Sequence, residues 1–85
     1  MTNKENFIKN CLLVTKSSDL VEQNMFAKIA IDTFLNSKYI DNTTEESKLF
    51  FIQNLKEVLN NYINKSSTVN DVKQMITLQS DIIVD

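Results

Sequence analysis

The sequence predicts an all-α fold, a compact bundle of four amphipathic helices at about residues 3–14, 19–37, 44–64 and 69–83, forming one domain over 1–85. Three observations predict it. The chain contains no glycine and no proline, so tight hairpin turns lose their favoured residues and nothing breaks a helix from within. Apolar residues recur at helical spacing in four separate stretches. Before each stretch stands a hydroxyl or acidic residue of the kind that caps a helix start.

The first helix opens at Thr2, with Glu5 three residues on in a capping-box pattern. Phe7, Ile8, Cys11, Leu12 and Val14 follow at helical spacing. Thr15 to Ser18 reads as a polar connection. Ser18 or Asp19 caps the second helix, with Glu22 placed to complete another box. Its apolar residues form more than one stripe. Val21, Met25 and Ile29 line one side; Phe26, Ala30 and Phe34 line another, which Ala27, Ile31 and Leu35 extend. Lys28 and Asp32 stand four apart as an ion-pair pattern. A helix this apolar is expected at the centre of the bundle, covered on more than one side.

The segment from Lys38 to Asn42 leads to a third helix, capped by Thr43 with Glu46 reaching back. Glu45 and Glu46 occupy its first turn, where the helix dipole favours negative charge. Phe51, Ile52, Leu55, Val58, Leu59, Tyr62 and Ile63 share one broad face. Phe50 departs from that pattern and projects to the polar side, flanked on the wheel by Glu57 and Asn61. Thr68 and Asp71 open the fourth helix, whose apolar face comprises Val69, Val72, Met75, Ile76, Gln79, Ile82 and Ile83. The β-branched run from Ile82 to Val84 is equally compatible with extended chain, because periodicity does not settle so short a run.

Composition narrows the chemistry. The chain lacks histidine and arginine as well as glycine. Without glycine, phosphate-cradling loops are missing. Without histidine, the commonest general base and metal ligand is missing. Cys11 is the single cysteine and lies on an apolar face, which reads as a buried structural thiol in a reducing, cytoplasmic setting. Asp41 to Glu46 is oxygen-rich but lacks the alternating ligands and turn glycine of a calcium loop, so capping explains it more simply. The expectation is a protein that is not an enzyme and needs no cofactor or metal.

Partner classes divide in the same way. Nine lysines are spread almost evenly between positions 4 and 73, and the net charge is −2. No basic patch forms along the chain and no arginine is present to read bases, which disfavours nucleic acid. The apolar run Cys11 to Val14 is too short for a signal-peptide core, and nothing approaches the roughly 20 apolar residues of a membrane span. The polar helix faces carry Asn, Gln and Glu rather than a basic belt, which disfavours a membrane surface. Asn, Ile and Lys supply 29 residues, a codon bias expected of a low-GC bacterium or phage.

Another protein is the remaining partner. Phe50 and the Val21–Met25–Ile29 side of the second helix are the candidate partner-binding residues, and the simplest use of surplus apolar surface is a homodimer. In size and helix count the chain resembles small bacteriocin-immunity bundles and the small helical regulators and anti-activators of phages and plasmids. That resemblance covers architecture and carries no motif. It implies a regulatory or adaptor protein acting by protein–protein binding. A DNA-binding regulator and a structural subunit of a phage or secretion assembly are the alternatives.

Overall fold

The structure, a computed structural model describing residues 1–85, has four helices: α1 (Asn3–Lys16), α2 (Leu20–Leu35), α3 (Glu45–Ile63) and α4 (Val69–Ser80). Local chemistry accounts for each start. Thr2 Oγ1 accepts the Glu5 N–H at 3.1 Å, and Glu5 Oε1 accepts the Thr2 N–H at 3.3 Å, closing a capping box. The Thr2 N–H, together with the Thr2 hydroxyl donating to Glu5 Oε1 at 3.0 Å, holds the Glu5 carboxyl below its ordinary range. Thr68 and Asp71 form the same reciprocal pair at α4. Asp19 caps α2 alone, accepting from the Val21 N–H at 3.2 Å, because Glu22 instead accepts the Ser17 hydroxyl at 3.0 Å. At α3 the cap is Thr44, not Thr43. Thr44 Oγ1 accepts the Ser47 N–H, whereas the Thr43 hydroxyl donates to the Ile40 carbonyl within the preceding turn.

Two turns take the left-handed backbone that glycine usually supplies. Asn42 has φ 75°, and its short side chain makes this region accessible. Lys65 has φ 64° at the end of α3. There the Ser66 N–H donates to the Asn61 carbonyl at 2.7 Å and the Lys65 N–H to the Tyr62 carbonyl at 3.0 Å. The pair is a Schellman closure with lysine in the glycine place.

The helices run up, down, up, down. At one end Gln23 Nε2 donates to the Ser17 carbonyl at 2.9 Å, and Tyr62 OH donates to the Thr15 carbonyl at 3.2 Å. These bonds gather the end of α1, the start of α2 and the end of α3. At the other end the segment after α4 lies beside the segment after α2. Ile40 N–H donates to the Ile82 carbonyl and Val84 N–H to the Lys38 carbonyl, each at 2.9 Å, with Tyr39 and Ile83 as an antiparallel bridge. Helix α4 therefore stops at Ser80, short of the predicted residue 83. Its β-branched continuation takes the extended form that such residues favour once a backbone partner is at hand.

The core draws on every helix: Phe7, Cys11 and Val14; Ala27, Ala30 and Phe34; Leu55, Leu59 and Ile63; Val72, Met75 and Ile76, with Ile83 closing one end. Phe34 sits between Phe7 and Tyr39, ring centroids 5.5 and 5.3 Å away. The Tyr39 hydroxyl donates back to the Phe34 carbonyl. Helix α2 packs on α1 and α3 and does not touch α4. It is covered on two sides, as its apolar content predicts, but takes a corner of the bundle rather than its centre. Lys28 and Asp32 form no ion pair; the molecule's one ion pair joins Lys48 and Glu45 at 3.1 Å, with Lys48 Nζ also 5.2 Å above the Tyr39 ring.

Candidate interaction surfaces

The four residues singled out from the sequence all reach solvent. Phe50 is 64% exposed, and on α2 the exposures are 75% at Val21, 48% at Met25 and 40% at Ile29. Helical spacing places the α2 trio on the side opposite Ala27, Ala30 and Phe34, which are buried. Because α2 occupies a corner, no other helix covers that side.

Phe50 is held differently. Its ring meets Phe51 edge-on, centroids 5.8 Å apart and planes at 73°. Phe51 is half-buried against the core, so it supports a neighbour that is not itself packed. Leu49, also exposed, widens the apolar area at the start of α3. Asn54 and Asn61 share Phe50's side of α3 and line a cleft between α3 and α4. Phe50 therefore lies on the α4 side of α3, whereas α2 packs elsewhere on that helix. The structure does not bring Phe50 and the Val21–Met25–Ile29 stripe together. They are two separate surfaces.

Two further features escaped sequence reasoning. The cleft between α3 and α4 has a volume of about 450 Å³ and an apolar strip of Val58, Met75 and Leu78 among amide and hydroxyl groups. Ser67 at its end has a hydroxyl shut off from solvent with no hydrogen-bond partner. The outward side of α1 carries a mainly apolar depression of about 500 Å³, lined by Met1, Ile8, Leu12 and Leu13 with charged groups at its edge. Ile8 and Leu12, read as core-facing, are half-buried and pack against the core from beside its centre at Phe7, Asn10, Cys11 and Val14, and their outer sides border this depression. Leu13, more than a quarter-turn from that centre, was the available signal: its spacing from Ile8 and Leu12 gives α1 apolar groups around most of its circumference.

The remaining chemistry is buried or dispersed. Cys11 is fully enclosed, and burial pushes its thiol up to about 12. No three acidic or cysteine side chains converge on one point. Asp41 to Glu46 is used locally, Glu45 in the pair with Lys48 and Thr44 as the α3 cap. No helix is long and apolar enough to cross a membrane. In comparisons with known proteins, no family model, curated protein or solved structure matches this chain.

Proposed function

We propose that this chain is a non-enzymatic regulatory or adaptor protein that acts by docking onto another protein, with Phe50 as its principal anchor. The observation that carries this reading is a phenylalanine left about two-thirds exposed, 64%, on a helix whose other aromatic residues are at least partly buried. Large aromatic side chains are the commonest anchors of protein interfaces, and leaving one in water has no benefit for folding. The mechanism is steric: the anchor docks and the partner's own surface is masked or held. A cytoplasmic setting accords with the single free, buried thiol.

Phe50→Ser tests the reading. Partner binding is expected to be abolished while the thermal midpoint stays close to that of the parent chain. A large loss of stability would place Phe50 in the core and remove the main support for this function.

A second reading, the symmetric homodimer, draws on the Val21–Met25–Ile29 stripe, an exposed apolar row on one helix. Light scattering across a concentration series separates the two. A dimer that dissociates in Met25→Glu would assign the stripe to self-association, and a monomer at all concentrations would leave it for a different protein.

A further inference from the structure

We infer that two copies of this chain pack α2 against α2, antiparallel about a two-fold axis, with Lys28 of each copy against Asp32 of the other. This rests on the symmetric homodimer proposed for α2 and adds its orientation and register. The basis is the order of exposed residues along the helix. Met25, Lys28, Asp32 and Leu35 are all exposed, Met25 at 48% and Leu35 at 47%. Their spacing of three, four and three residues is the seam spacing of a two-helix contact, and it puts all four on one side of α2. Val21 extends the same seam by one layer. Ala27, Ala30 and Phe34, the buried residues of α2, lie on the opposite side, so the seam is free of the rest of the bundle.

The seam is its own complement. A two-fold axis level with Ala30 places Met25 opposite Leu35 of the second copy and Lys28 opposite its Asp32, and the symmetry repeats both pairs. Each apolar residue thus meets an apolar one and each charge meets its opposite. Ile29, 40% exposed, flanks the seam beside the axis, where it faces its own copy. Parallel helices in register would set Lys28 against Lys28 and Asp32 against Asp32, which repel. Sliding the antiparallel pair by one layer in one direction sets Lys28 on Met25 and Asp32 on Val21, charges on apolar groups. Sliding it the other way sets Asp32 on Leu35 and carries Lys28 past the end of the facing helix. Within one copy the two charges are unused. Lys28 precedes Asp32, the weaker order for a pair four residues apart, and the molecule's one ion pair is Lys48–Glu45. Glu22 also flanks the seam, outside these four pairs, and accepts the Ser17 hydroxyl at 3.0 Å. The four positions span about 15 Å of helix, a small contact, so the dimer is expected at high protein concentration.

Sedimentation equilibrium at low salt, from micromolar to near-millimolar protein, tests this with a set of charge swaps. Circular dichroism of each variant checks that it folds, as expected for two exposed positions. The parent chain is expected to dimerise. K28E and D32K are each expected to weaken self-association at least about tenfold, because each sets like charges face to face twice in the dimer. The double variant K28E/D32K is expected to restore it, and the differences to shrink as salt rises. Mixing K28E with D32K is expected to give a heterodimer, since the two variants carry opposite charges at both positions. Phe50→Ser is expected to leave self-association unchanged, which separates α2 from the Phe50 anchor. A parent dimer that dissociates in Met25→Glu yet tolerates K28E and D32K would overturn the register while leaving self-association through α2 in place. So would a mixture of the two charge variants that stays monomeric beside a parent dimer. A parent chain that is monomeric throughout would overturn both.

Discussion

Ile83 pairs antiparallel with Tyr39, across more than forty residues of chain, and the pairing ties the segment after α4 to the segment between α2 and α3. Ile83 is buried by it, and Tyr39 stacks on Phe34. Two residues further on, Asp85 completes the fastening. Its carboxylate accepts the Asn3 amide at 2.9 Å and the Lys38 N–H at 3.2 Å, and its carbonyl accepts the Lys4 N–H at 2.6 Å. One residue thus holds the start of α1, where negative charge is favoured by the helix dipole, and the end of α2.

Asp85→Ala is expected to cost about 1–2 kcal/mol, from two side-chain hydrogen bonds to a charged acceptor, one of them at a helix start. Urea unfolding followed by circular dichroism reads the loss. Hydrogen exchange at Ile40 and Val84 should accelerate in step. A change in neither would show that the fastening contributes nothing to stability.

Gln79 is fully buried on α4, and neither its amide nitrogen nor its amide oxygen has a hydrogen-bond partner. Enclosing an unpaired amide opposes folding, so an apolar residue of similar length should do better. Gln79→Met is expected to raise the unfolding free energy by about 1–2 kcal/mol. Destabilisation in the same urea titration would show that the amide is paired in solution.

Lys65 occupies a left-handed position where a Cβ atom crowds the backbone. Lys65→Gly relieves that crowding within the same Schellman closure, at the expense of a more flexible unfolded chain. The expected net gain is about 0.5–1 kcal/mol. It is read as a rise in the thermal midpoint, and a fall would show that the closure has rearranged.

Cys11 holds its proton in the folded chain up to about 12, against 9.0 for a free thiol, because burial disfavours the thiolate. Between those values only the unfolded chain releases the proton. The contribution to stability is therefore complete below pH 9 and declines as pH rises toward 12, by up to about 1.4 kcal/mol per pH unit. Unfolding free energies of the parent chain and Cys11→Ala across that range should converge as pH rises. At pH 8 the folded chain is expected to resist a disulfide reagent that modifies it rapidly in denaturant. Parallel pH profiles, or fast modification of the folded protein, would show an accessible thiol.

Much of the fold was legible because the deciding interactions are local. Thr2 with Glu5 and Thr68 with Asp71 lie within one helical turn, and both pairs form as their spacing predicts. Phe7, Cys11 and Val14, or Leu55, Leu59 and Ile63, share a face through the helix period alone. The same reasoning put Phe50 out of phase with the core face of α3; that no neighbouring segment covers it was decided by the tertiary structure. The α3 cap read as Thr43 is Thr44, because neighbouring hydroxyls offer equivalent caps and the turn at Asn42 chose between them.

By itself, then, the sequence determined that four helices form, about where each begins, and which residues their strongest faces turn inward. Tertiary structure decided what no short window contains. The run from Ile82 to Val84 is extended because Lys38 to Ile40, distant in sequence, supplies its backbone partners. Val21, Met25 and Ile29 face solvent because α2 takes a corner that α4 does not reach. The depression on α1 stays open for a similar reason, no other helix lying over it. Helix formation is settled by neighbours three and four residues away, whereas covering an apolar face requires a surface from elsewhere in the chain, and four short helices cannot cover every such face.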